Sequence, residues 1–362
     1  MFVFGTSPNL KRDKRIVPGD RRRFAFCIIV FSFILLIATS IVSLTVGASG
    51  TSLIEALILW GLGEKIGLRE SVILFDIRAP RTLMGVMVGA SLAVSGAVMQ
   101  GLFRNPLADP GLVGVSAGAG LGAILAIVLG GMLPPAIATL TGIYTVPIAA
   151  FLGGWLTTML LYKVSTNRGR TSVAVMLLAG IAVGALSGAL SGILVYMADD
   201  TQLRDLTFWG LGSLAGSTWA KFAVAAPLIV LALATTPFLA KGLNGLTLGE
   251  AAAEHLGIRV QRMKNVAILT VAGATGAAVA VSGGIGFVGI VVPHLLRLII
   301  GPDHRYLLPA SALLGASLLL VADMISRTII APAELPIGIV TATIGGPFFL
   351  YILLRNRGIL DM

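Results

Sequence analysis

Runs of about twenty apolar residues recur along this 362-residue chain, and they limit its fold more than any other feature. A hydrocarbon core is crossed by about 20 residues of α-helix. About ten such runs are present: 24–46, 80–102, 112–132, 143–163, 173–196, 219–239, 264–282, 285–301, 306–327 and 337–354. Backbone in lipid has no water to bond, so each run must satisfy its own N–H and C=O groups as a helix. The fold class is therefore an all-α integral membrane protein with about ten transmembrane helices. Composition closes the alternative of a soluble helical bundle. The chain is 56% hydrophobic and 12% charged, where soluble domains carry about 25% charged residues.

The N-terminal basic stretch precedes an apolar one, as in a signal peptide. A signal-peptide core spans about 7–15 residues, and the run from Phe24 to Val46 is longer. It reads as a retained first span. The single cysteine, Cys27, excludes an intramolecular disulfide.

The net charge of +10 could suggest nucleic acid, but the positions of the charges argue against it. Basic residues fall in alternate loops, as topology determinants do. Lys11, Arg12, Lys14, Arg15 and Arg21–Arg23 precede the first span. Lys163, Arg168 and Arg170 lie between the fourth and fifth, and Lys241, Arg259, Arg262 and Lys264 follow the sixth. Arg297 and Arg305 flank the turn from the eighth span to the ninth, and Arg355 and Arg357 follow the last. With ten spans these loops share one side, expected to be cytoplasmic along with both termini. Glu55, Glu64, Glu70, Asp199, Asp200, Asp205 and Glu334 share the other. The chain divides into a basic cytoplasmic tail, 1–23, and one transmembrane domain, 24–362, with a cytoplasmic loop at 240–264. The longest extramembrane loop is 47–79, on the opposite side.

Small residues recur every four positions, which places them on one helix face. Gly114, Gly118 and Gly122 form one ladder, Gly180, Gly184, Gly188 and Gly192 a second, and Gly85, Gly89 and Ala93 a third. Such faces let membrane helices approach closely. A faint repeat, Ala-Val-Ser-Gly at Ala93–Gly96 and Ala280–Gly283, falls in two spans of opposite direction. It suggests an inverted repeat of the kind found in transporters.

"GAGLGA" at Gly118–Ala123 loosely resembles a dinucleotide loop, but no strand precedes it and no ribose-binding acid follows. Helix packing explains its glycines. The preceding "RNPLADPG" is another matter: Asn105 and Asp109 each precede a proline and are pushed out of helical geometry. The chain must break there, as a tight turn or as a cytoplasmic gate. Arg78 and Arg81 in "RAPR", and Arg327, sit at helix ends on the acidic side. They either snorkel to headgroups or pair with carboxylates of an extracytoplasmic partner. Asp323 could pair with Arg327 at i,i+4. In "TLGEAAAEHLGIRVQRMKN", Thr247-x-x-Glu250 reads as a capping box, Ala251–Ala253 as helix and Gly257 as its C-cap, with a second short helix from Arg259. This is an interfacial connector or an element that inserts into a cytoplasmic partner. His255, His294 and His304 have no ligand spacing, so no metal site is expected. No nucleophile–base set points to an enzyme. Besides Asp323 the spans hold almost no carboxylates or lysines, which disfavours an ion-coupled secondary carrier.

The stretch "RAPRTLMGVMVGASLAVSGAVMQGLFRNPLADPGLVGVSAGAG", then "LGEAAAEHLG", then "GGIGFVGIVVPHLLRLIIGPDHRYLLPASALLGASLLLVADMISR" and "AELPIGIVTATIGGPFFLYILL" resemble the permease subunits of ATP-binding-cassette importers for iron-siderophores, haem and cobalamin, of the FecCD type. The resemblance runs from about Ile77 to the C-terminus. It implies the type II ABC importer permease fold, working as a homodimer in the bacterial cytoplasmic (inner) membrane, with the path at the dimer interface. It further implies two ATP-binding subunits inside, which carry ATP and Mg, and a periplasmic substrate-binding protein outside; no cofactor is expected on this chain. By the same resemblance Arg78, Arg81 and Arg327 match residues that pair with glutamates of the binding protein. Thr247, Leu248, Gly249, Glu250, Ala251, Ala252, Ala253, Glu254, His255, Leu256 and Gly257 match the coupling helix. Asn105 and Leu107 match positions that narrow the cytoplasmic end of the path. "QLRDLTFWGLGSLAGSTW" and "GLFRNPLADPGLVGVS" look most like the haem-importing branch, with ferric-siderophore or cobalamin import as the alternative.

Overall fold

The computed structural model describes residues 21–47, 67–167 and 170–355. The tail before Arg21, most of the expected 47–79 loop, Arg168 and Arg357 lie outside the described residues. The chain is helical almost throughout. Among the described residues, seven helices are long and apolar enough to span a bilayer: α1 (Arg22–Thr45), α2 (Leu68–Phe103), α3 (Val115–Met132), α4 (Pro135–Ser165), α5 (Val173–Met197), α10 (Val260–Ser282) and α12 (His304–Ser326). An eighth span is a bent pair, α7 (Trp219–Ala234) and α8 (Thr236–Leu246), at 43° to each other. Pro237 in the first turn of α8 supplies no N–H to the preceding turn, which accounts for the bend. Two shorter apolar helices, α11 (Val288–Ile300) and α13 (Ile337–Arg355), complete the ten expected segments. Short helices α6 (Asp200–Leu211) and α9 (Glu250–His255) lie outside these spans.

Several boundaries differ from the sequence reading; α4, for one, begins at Pro135 rather than 143, and the bent span runs on to Leu246 rather than 239. Residues 68–79, expected in the loop, belong to α2, whose Val72–Arg78 stretch is wound as a π-helix. Polar Arg69, Glu70 and Asp76 had masked its helical continuation. Residues from Val260 do not form a second short helix but open the span α10 directly.

The core is built on α2, α10 and α12, the most buried spans, whereas α4 and α5 face largely outward. Small residues explain the depth of α2. A side chain at Gly89 would meet the backbone of Gly315 and Ala316 in α12. One at Gly96 would strike Gly289 in α11, and one at Gly85 would strike Leu320. Backbone-to-backbone approach of this kind maximises dispersion contact where no hydrophobic force separates helix from lipid.

Irregular backbone between spans is paired rather than left open. Ser213 donates its N–H to the Ser282 carbonyl at 2.8 Å, Gly284 to Trp209 at 3.3 Å, and Ile337 to Gly212 at 3.0 Å. The turns around 212, 284 and 336 thus satisfy one another's main-chain groups, as lipid-depth backbone must. Helix α6 begins with a complete capping box: Gln202 N–H to Asp199 Oδ1 at 2.8 Å, and Asp199 N–H to Gln202 Oε1 at 3.1 Å. Asp199-x-x-Gln202 is the sequence signature of this helix start.

Candidate functional site

Three places gather the residues singled out by sequence. The first is the break between α2 and α3. Helix α2 ends at Phe103, and Arg104 takes a left-handed conformation with φ of 51°. Asn105 N–H reaches back to the Gln100 carbonyl at 3.1 Å, closing the helix end. The Asn105 side chain then accepts the Leu107 N–H at 2.9 Å, and Asp109 accepts that of Gly111 at 2.7 Å. Asp109 itself is extended, φ −122° and ψ 147°, as a residue before proline should be. Burial pushes the Asp109 carboxyl above the usual range, and the Gly111 hydrogen bond only partly offsets this. Gly114 follows at φ 74°, where a side chain would also meet Leu161 and Thr157 of α4. The break is therefore a hydrogen-bonded turn with Asn105 exposed and Leu107 half-buried.

The glycine ladders behave differently. Gly118 and Gly122 face α4 so closely that an added side chain would collide with the carbonyls of Gly153 and Ala149. Gly184, Gly188 and Gly192 of α5 have nothing within 4 Å of such a side chain among the described residues, and Gly180 is half-buried. Among the described residues, Gly184, Gly188 and Gly192 thus make none of the packing expected of the second ladder. Equal spacing puts glycines on one face without placing a neighbour against it.

The second place is the loop after α8. Helix α9 forms as expected, but the capping box does not. Gly249, at φ 102°, is the N-cap and makes no side-chain cap bond. Thr247 instead donates to the Asn244 carbonyl at 2.7 Å, and Glu250 pairs with Lys264 Nζ at 2.7 Å. Lys264 is buried, and a buried ammonium needs a counter-charge more than a helix end needs a cap. The C-terminus closes as a Schellman motif, Ile258 N–H to the Ala253 carbonyl at 3.0 Å and Gly257 N–H to Glu254 at 2.9 Å. Ala253 faces the bundle, whereas Leu248 and Leu256, flanking the helix, are 67% and 65% exposed.

Lys264 also ties this loop to the short hairpin Thr166–Asn167/Arg170–Thr171 before α5. Its Nζ donates to the Thr171 carbonyl at 3.0 Å, and Gln261 donates to the Thr171 hydroxyl at 2.7 Å. On the other side Asn244 donates to Asp303 at 2.6 Å and accepts the His304 N–H at 2.9 Å. Burial raises the Asp303 carboxyl, but hydrogen bonds from Arg305 and Asn244 outweigh it and hold the group down at about 2. Sequence reasoning missed Lys264, Gln261 and Asn244 because their partners lie tens of residues away.

The third place is the opposite end, where the three arginines gather. They are not presented to solvent: Arg78, Arg81 and Arg327 are 3%, 5% and 5% exposed. One edge of the Arg81 guanidinium grips Asp323, Nε at 3.0 Å and Nη2 at 2.9 Å from Oδ1. The other grips Glu334, Nη1 at 2.8 Å and Nη2 at 3.0 Å. Arg327 approaches Asp323 at 3.7 Å, the expected i,i+4 pair, and its Nη2 donates to the Ser43 carbonyl at 2.7 Å. Arg78 donates to the carbonyls of Leu44 and Thr45 at 2.8 and 2.9 Å, closing the end of α1. The cluster locks α1, α2 and α12 together. Asp323 is fully buried, whereas the Glu334 side chain is 38% exposed.

Similarity to known proteins extends over most of the chain. Residues 27–355 match the model of the FecCD transport family. The hemin transport system permease of Yersinia pestis is 46% identical over 327 residues, covering 90% of this chain and 95% of its own length. The cobalamin import system permease of Halobacterium salinarum is 44% identical over 286 residues, 79% of this chain and 74% of its own. A solved structure described as an inward-facing metal-chelate type ABC transporter superposes with a TM-score of 0.79 at 33% identity, covering 91% of this chain and 99% of that one.

Proposed function

The chain belongs to the FecCD transport family and is the membrane-spanning permease of an ABC importer, and on that footing we propose that its cargo is haem. The observation that carries the cargo reading is the 46% identity with a hemin permease across nearly the whole of both chains. In this reading two copies form the path, two ATP-binding subunits act at the basic, cytoplasmic end in the inner membrane, and a periplasmic protein delivers haem at the other. The path holds haem weakly and carries no resident cofactor. Competition decides the cargo. Vesicles holding the permease with its ATP-binding and binding-protein partners should accumulate hemin, and excess cobalamin or ferric siderophore should not compete. Accumulation of either of those instead would replace haem as the cargo.

Helix α9 is the element proposed to seat on the ATP-binding subunit, and its exposed features fit that role. Leu248 and Leu256 project as apolar knobs on either side of a low, alanine-lined surface. Placing glutamate at Ala251 and Ala252 together is expected to abolish co-purification of the ATP-binding subunit while the thermal transition of the permease stays put. Glutamate at buried Ala253 should instead lower that transition. Normal co-purification of the A251E/A252E variant would remove α9 from the coupling role.

At the far end, Arg81 already holds a carboxylate on its water side. An acidic residue of a docking protein would therefore take the place of Glu334 rather than meet an unoccupied arginine. Asn105 and Leu107 lie at the end of the bundle where a cytoplasmic gate is proposed.

A further inference from the structure

A groove of about 530 Å³ opens between the bent pair α7–α8 and α10, at the basic end of the bundle. Its walls include Thr235, Phe238 and Val266, and its mouth carries Lys241, Arg259 and Arg262. All three cations are exposed, and among the described residues none has a carboxylate within ion-pair distance. The nearby Glu250 is already taken by Lys264.

Position along the helices sorts the groove into two zones. Arg259 and Arg262 begin α10, and Lys241 lies across from them on α8. One to two turns deeper come Phe238 and Val266. About 10 Å from Arg262, at 1.5 Å per residue, stands Leu269. Both walls then continue as outward-facing apolar stripes. On one side Phe238 is 84% and Leu231 69% exposed, and on the other Leu269 is 44% exposed. In a bilayer those stripes face hydrocarbon. The chain bends by 43° at Thr235, and the Thr235 and Thr270 hydroxyls, 2.5 Å apart, tie the bent pair to α10 at the deep end of the groove.

A cationic mouth at headgroup level, continuous with an apolar trough at acyl-chain level, complements one kind of molecule. We propose that this groove is a binding site for an anionic phospholipid, its phosphate-bearing headgroup held by Lys241, Arg259 and Arg262 and an acyl chain lying over Phe238 and Val266. Juxtamembrane cations attract anionic headgroups, and basic pockets between helices on the cytoplasmic side bind them. Charge complementarity fixes the sign of the lipid, and continuity with the outer apolar surface distinguishes a lipid from a soluble anion. The site adjoins the loop that carries α9, so its occupant lies next to the coupling element.

The test is titration of the full-length chain in mild detergent with phosphatidylglycerol or phosphatidylcholine, followed by native mass spectrometry. The Kd of the first bound phosphatidylglycerol is expected to rise at least about fivefold in a K241Q/R259Q/R262Q variant, with phosphatidylcholine binding unchanged. V266W, which fills the trough and keeps every charge, should also weaken phosphatidylglycerol. K163Q/R170Q, removing two cations from the same end outside the groove, should not. An unchanged Kd in the triple variant overturns the site. So does an equal loss in K163Q/R170Q, or no loss in V266W, either of which reduces the effect to diffuse surface charge. Loss of the ATP-binding subunit by the triple variant with lipid preference intact would reassign the three cations to a protein contact.

Discussion

Replacing Arg81 by alanine is expected to destabilise the permease by about 3–5 kcal/mol, the usual cost of removing one partner from a buried ion pair. The reason is the isolation of Asp323. Its carboxylate is fully buried, and its short contacts are the Nε and Nη2 of Arg81, with Arg327 further off at 3.7 Å. Without Arg81 that charge has neither water nor a close partner. The loss should appear as a lower thermal transition in lipid nanodiscs, with Asp323→Asn giving a comparable drop. Much of the loss comes from the orphaned charge, not from the pair's own attraction. Asp323 also faces buried Arg327, so the triple variant R81M/D323L/R327M, which leaves neither charge orphaned in the core, should recover a large part of it. If the triple variant is as unstable as the sum of the single changes, the ion pairs themselves stabilise the fold and the orphaned-charge explanation is wrong. Charge reversal at these arginines is consequently a poor probe of docking. Glu334→Gln, at the half-exposed partner, tests docking while leaving the buried pair in place.

The second large effect is expected from Gly118→Leu. A leucine there would have to enter the space of Gly153 and Thr157 backbone and side-chain atoms on α4. Overpacking of a tight contact costs about 1–3 kcal/mol even when neighbours can shift, and here one obstacle is the Gly153 carbonyl, backbone that shifts least. Separation of α3 from α4 and a marked loss of folded protein are expected. Gly188→Leu, at the same four-residue spacing in α5, meets nothing within 4 Å and should leave the thermal transition of the monomeric chain in detergent nearly unchanged. Equal losses for the two variants would contradict the assignment of packed and unpacked ladders.

These two cases mark what the sequence could and could not disclose. The ten apolar segments were legible because lipid imposes one length and one secondary structure on each run. The turn at Asn105–Gly114 was legible because proline restricts its predecessor wherever it stands. Which glycine ladder packs was not, since spacing defines a face but not its neighbour. The arginines were expected near helix ends, yet their burial was hidden: Asp323 and Glu334 lie 242 and 253 residues from Arg81. Thr247-x-x-Glu250 misled for the same reason, because Lys264, the competitor for Glu250, acts through space. Local rules recovered helices and breaks, and the long-range ion pairs that fix helix against helix needed the fold.

Transport by this permease is expected to run on ATP hydrolysed by partner subunits, and the most direct measurement is hemin uptake into vesicles under separately controlled energy sources. Vesicles holding the permease, its ATP-binding subunits and loaded binding protein should accumulate hemin when MgATP is supplied at the ATPase face. Uptake should stop with vanadate, persist when ionophores collapse every ion gradient, and vanish when the ATP-binding subunits are left out. Uptake driven by an ion gradient in the absence of ATP and those subunits would contradict the account.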